Sequence, residues 1–88
     1  MNLNSKKLTI NGTEFVVKEA RVCDLLPLMP RFQGEEAAGA QLELVANTVY
    51  LEGAPLGEKA QELPFNAYTQ ILEACLSVNG MGEDSGND

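Results

Sequence analysis

Histidine and tryptophan are both absent from this chain of 88 residues. Without histidine the chain lacks the commonest general base and the commonest metal ligand. A serine–histidine–acid triad is therefore excluded, although Ser5, Ser77 and Ser85 are present. Cysteine occurs only at Cys23 and Cys75. Two thiols alone make neither a zinc site nor a redox motif. Their apolar neighbours, Val22 for one and Ala74 and Leu76 for the other, predict two small buried hydrophobes in a reducing compartment. Basic residues are also few, 6 against 13 acidic ones, for a net charge of −7. That balance argues against binding nucleic acid through its phosphates. It fits a soluble protein, a binder of basic partners or a mimic of DNA. No apolar run approaches the roughly 20 residues that span a bilayer, and residues 1–10 lack the apolar segment of a signal peptide. The expectation is a cytoplasmic protein with no membrane partner, no nucleic-acid partner, no cofactor and no metal.

What the chain does contain is apolar: 44% of its residues are hydrophobic, as in a globular protein. Its length suits one domain with a thin core and marginal stability. The most informative stretch is 63–80. Wound as a helix at roughly 100° per residue, it gathers Thr69, Gln70, Glu73 and Ser77 on one narrow polar side. Phe65, Ala67, Tyr68, Ile71, Leu72, Ala74, Cys75, Leu76 and Val78 fill the remaining arc of about 200°, where a surface helix needs little more than about 100°. This helix must be covered from two directions. Leu63-Pro64 marks its start, since proline is tolerated in the first turn. Asn79-Gly80 marks its end as a left-handed cap.

The remaining elements follow in chain order. Asn11-Gly12 is the strongest short hairpin signal, because a type I′ turn requires positive φ at both central residues. With a two-residue loop, Ile10 faces Thr13, Leu8 faces Phe15 and Lys6 faces Val17, on one mostly apolar face; Lys7/Val16 and Thr9/Glu14 share the other. A lone hairpin is not stable in water, so its apolar face must lie on something, most obviously the last helix. Within 19–32, Val22, Leu25, Leu26 and Met29 keep helical spacing, interrupted by Pro27 and Pro30. Glu35 and Glu36 suit the N-terminus of a helix over 35–52 that Gly53 ends. Ala38, Leu42, Val45 and Val49 form its first apolar stripe, expected to face the core. Ala37, Ala40, Leu44 and Leu51 form a second, which is either a flank of the packed domain or a docking surface. Residues 54–62 read as a linker with at most one helical turn. The expected architecture is α+β, an N-terminal β-hairpin at 6–18 followed by three α-helices at about 22–31, 35–52 and 64–79 in one small domain over 1–80. An acidic tail at 81–88 is expected to be disordered.

No catalytic constellation is visible. Cys23 and Cys75 lack a partner base. Glu35 and Glu36 are adjacent and point to different sides of their helix, and Glu43 and Glu52 lie more than two turns apart. The acidic tail fails the spacing of a calcium loop. The glycines do not form a phosphate loop. The chain therefore reads as a small binding or scaffolding protein.

The order of elements, with VCDLLPLMP at 22–30 and Leu63-Pro64 leading a helix that closes on Asn79-Gly80, resembles the small tail assembly chaperones of long-tailed bacteriophages and prophages. The resemblance runs over residues 8–80, and its motifs carry no chemistry. It implies a non-enzymatic protein of the bacterial host cytoplasm that coats the long tape-measure protein, keeps it soluble and recruits tail-tube subunits. It also implies that a longer, frameshifted form can exist. A helix-in-groove contact with such a partner needs an apolar surface. Leu44, Leu51, Ile71, Leu72 and Leu76 are the candidates, each of them also a candidate for the core, and self-association through the same residues is compatible. The competing class is an acidic inhibitor that mimics DNA. Its array would be Glu35, Glu36, Glu43 and Glu52, which is sparse, and five of the six cations fall in the first 31 residues.

Overall fold

The computed structural model describes residues 3–81, so the tail expected at 81–88 lies, apart from Met81, outside the described residues. The fold is α+β, with an N-terminal hairpin followed by helices. Strands β1 (Ser5–Ile10) and β2 (Thr13–Lys18) pair antiparallel with Ile10↔Thr13, Leu8↔Phe15 and Lys6↔Val17, the register dictated by the turn. Asn11 (φ 51°) and Gly12 (φ 84°) supply the positive dihedrals that a type I′ turn needs. Ile10, Phe15 and Val17 are buried from one face of the hairpin.

The first helix is much shorter than the expected 22–31. Helix α1 is a single turn, Val22–Leu25, followed by a 3-10 helix at Met29–Gln33. The physical reason is Pro27 and Pro30, which have no N–H to donate to the carbonyls four residues earlier. The chain continues on tighter bonds, Leu28 N to Leu25 O at 2.9 Å and Arg31 N to Leu28 O at 2.9 Å.

The second helix also ends early. Helix α2 runs Ala37–Thr48 instead of 35–52. Val49–Leu51 then forms strand β3, which pairs with β2 (Val17↔Val49, Val16↔Tyr50), and Ala54–Pro55 forms strand β4, giving a four-stranded antiparallel sheet in the order β1-β2-β3-β4. Valine and tyrosine favour a pleated, half-buried position, and the open edge of β2 offers them main-chain partners. Gly53 is therefore not a helix cap. It is the second residue of a second two-residue turn, with Glu52 at φ 54° and Gly53 at φ 84°. The presumed linker is anchored by β4, by a 3-10 helix at Gly57–Glu62 and by the buried Leu56 and Ala60.

Helix α3, Phe65–Val78, lies over β1 and β2 with α2 beside it. Ala67, Ile71, Ala74 and Cys75 are its buried residues. The covering from two directions comes from within this chain. On α2 the buried residues are Ala40 and Leu44 of the second stripe, Val45 of the first and Thr48 of neither; Ala38 is exposed and Leu42 half-buried. The core face of α2 thus draws on both stripes, and Val49 and Leu51 belong to β3 and not to the helical period. Thr48 is tolerated inside because its hydroxyl donates to the Leu44 carbonyl at 2.7 Å.

Three stability outcomes are expected. Leu44→Ala should lower the unfolding free energy in urea by about 2–5 kcal/mol through the cavity it leaves, and Leu44→Asp or Ile71→Asp should abolish the cooperative transition. Glu52→Gly should raise stability by roughly 0.5–1 kcal/mol, since relief of the left-handed dihedral outweighs the entropy of glycine.

Candidate partner-binding surface

The end of α3 determines where the 20–33 segment lies. The Gly80 N–H donates to the Ser77 carbonyl at 3.0 Å and the Met81 N–H to the Leu76 carbonyl at 2.7 Å, with Gly80 at φ 75°. This is the paired closure that a left-handed glycine allows. Asn79 itself is not left-handed. Its side chain serves another purpose: Oδ1 accepts from the Ala20 N–H at 2.8 Å, and Nδ2 donates to the Cys75 carbonyl at 2.8 Å. One amide thus ties the exit of β2 to the last turn of α3, fixing the point from which α1 departs.

From that point the segment presents two apolar sides. Leu28 is buried, with Leu25 and Phe32 packed against the core. The other side faces solvent: Val22 is 71% exposed, Leu26 57% and Met29 49%. The Leu26 N–H donates to the Val22 carbonyl at 2.9 Å and the Met29 N–H to the Leu26 carbonyl at 3.3 Å, so the three residues follow one another along the segment as an exposed apolar ridge. From sequence, Val22, Leu25, Leu26 and Met29 were a single stripe. The signal that could have divided them is the second set Leu25, Leu28 and Phe32, also at helical spacing. Phe65, at the start of α3, is 77% exposed, with its ring 6.3 Å from that of Tyr68.

The residues proposed from sequence as partner-binding divide in the same way. Leu44 and Ile71 are fully buried and no partner reaches them in the folded protein. Leu51, Leu72 and Leu76 are half-buried against the core. The expectation that both cysteines are buried holds for Cys75 only; Cys23 is exposed on α1. Burial pushes the Cys75 thiol up from its ordinary range, opposed by a contact with the Thr48 hydroxyl at 3.5 Å.

Charges flank the ridge. Arg21 Nε donates to Asp24 at 3.0 Å, and this bond holds the Asp24 carboxyl below its ordinary value. Arg31 Nη1 donates to Glu43 at 3.1 Å, and its Nε lies 3.5 Å from Glu36 without a hydrogen bond. An open groove of about 600 Å³ lies at the end of the sheet, lined in part by Lys18, Arg21, Asp24, Asn47 and Tyr50, with the Lys18 ammonium 4.1 Å from the Tyr50 ring centre. Among the described residues no cluster of three His, Cys, Asp or Glu side chains is placed to hold a metal ion, and no helix is long and apolar enough to cross a membrane.

Comparison with protein-family models, with curated proteins and with solved structures finds no match.

Two measurements check this geometry. In the folded protein one thiol should react rapidly with a disulfide reagent and the other only after denaturation, with Cys23→Ser removing the rapid phase. Asn79→Ala should cost about 1–3 kcal/mol in urea unfolding, because it leaves the Ala20 N–H without its partner.

Proposed function

We propose that this protein is a small non-enzymatic assembly chaperone that binds an apolar helical stretch of a much longer partner. On the resemblance of residues 8–80, that partner is the tape-measure protein of a bacteriophage tail, held soluble in the host cytoplasm and handed to tail-tube subunits. The observation that carries the reading is the exposed ridge of Val22, Leu26 and Met29. It lies within the same 22–30 stretch that carries the resemblance.

The chemistry suits the task. A long helical protein with an apolar stripe aggregates unless that stripe is covered. An exposed row of apolar side chains offers anchors of the kind that recognition of an amphipathic helix uses. The half-buried Leu72 and Leu76 can contribute a flank, while Leu44 and Ile71 serve the core that keeps the ridge in shape. The acidic-mimic reading requires a one-sided array of free carboxylates. Arg31 engages Glu36 and Glu43, which weakens that array further.

The test is affinity capture by the tagged full chain from cells expressing its neighbouring genes, with the captured proteins identified by mass spectrometry. Capture of a very long helical protein, lost in Val22→Asp/Leu26→Asp while the melting temperature is unchanged, is the expected result. Capture of a nucleic-acid enzyme released by salt, or retention of the long protein by the double variant, would contradict it.

A further inference from the structure

We propose that the free edge of β1 is a strand-addition site for an extended acidic segment of a partner protein. The inference is independent of the ridge and of the assembly reading, since it uses the opposite kind of chemistry.

The two edges of the sheet differ. β4 is two residues long and contains Pro55, which cannot donate to a further strand. β1 is six residues long, and among the described residues β2 is the one strand beside it. In a two-residue hairpin the pair flanking the turn exchanges both main-chain bonds, and the pattern alternates from there. Ile10, Leu8 and Lys6 therefore bond toward β2, and the N–H and C=O groups of Ser5, Lys7 and Thr9 point away from the sheet. These three residues are exposed, so a row of donors and acceptors at strand spacing stands open to another chain.

The charge on this edge selects the occupant. Lys6 and Lys7 are both exposed, and neither has an ion-pair partner among the described residues. They project to opposite faces of the sheet. A strand added antiparallel meets Lys7 with one side chain and Lys6 with the next, so two consecutive acidic residues satisfy both lysines. A second copy of this chain is the poorer occupant, because four lysines would crowd one seam.

The experiment is an amide-resolved NMR titration of the full labelled chain with a short synthetic peptide of valine and threonine interrupted by two consecutive glutamates. The expected result is shifts centred on Ser5, Lys7 and Thr9, with their amides protected from solvent exchange. Lys6→Glu/Lys7→Glu should weaken binding at least about tenfold, the size expected from reversing two surface ion pairs, and Lys59→Glu should leave it unchanged. Lys7→Pro removes an outward N–H without touching the ladder to β2 and should abolish binding. If that variant fails to fold, a peptide N-methylated on its pairing edge makes the same test on the native protein. Absence of binding at millimolar peptide, shifts confined to the Lys18–Tyr50 groove, equal affinity for a peptide with lysines in place of glutamates, or a concentration-dependent dimer through β1 would each overturn the proposal.

Discussion

Burial of one face of α3 against the hairpin is the interaction on which the rest depends. A two-stranded hairpin has too little apolar surface to stand alone in water, and a helix of 14 residues is marginal by itself. Each supplies what the other lacks. Phe15 and Val17 from β2 and Ile71 and Cys75 from α3 are among the most deeply buried side chains. α2 then closes the remaining side of α3 through Leu44, Val45 and Thr48. Each well-buried aliphatic side chain here is worth about 1.5–3 kcal/mol. A domain of this size has few of them, so no member of this cluster is free to serve a partner.

The second constraint is polar. Asn79 bonds the Ala20 N–H and the Cys75 carbonyl at the same time, and this fixes how the chain leaves the sheet. The segment that follows cannot become a regular helix, because Pro27 and Pro30 interrupt its ladder. It lies on the core as one helical turn and a 3-10 helix, with Leu28 turned in and Val22, Leu26 and Met29 turned out. A longer helix could have rotated these residues toward the core. The two prolines thus connect sequence to surface: they shape the segment that bears the most exposed apolar ridge.

How much of this was legible in the sequence depended on whether a local signal decided the outcome. The Asn11-Gly12 turn fixed a register that the alternation confirmed, and both appear in the structure. The last helix carried its own start and stop, and its observed limits differ from the expected 64–79 by one residue at each end. The end of α2 was not legible in the same way. Gly53 terminates a helix as readily as it completes a turn, and only the open edge of β2, a feature of tertiary structure, settles the choice for Val49, Tyr50 and Leu51. Leu44 shares an arc with Ala37 and Ala40 by helical spacing, and only the packing of α2 on α3 and the sheet decides that this arc is buried. Cys23 is exposed although its neighbour Val22 is apolar, because Val22 itself faces solvent, and helical spacing shows that residues share a face, not which face meets the core.

The domain has a thin core whose buried side chains are committed to folding, and the ridge on the 20–33 segment is the surface proposed for a partner. The net charge of −7 opposes self-association through such an exposed apolar surface. The most direct measurement is hydrogen–deuterium exchange, comparing the free protein with the protein after addition of the proposed partner, a long helical protein. The account predicts new protection concentrated at residues 22–29, with the amides of α2 and α3 around Leu44 and Ile71 already slow in the free protein and unchanged. Protection that spares 22–29, or rapid exchange around Leu44 and Ile71 in the free protein, would contradict it.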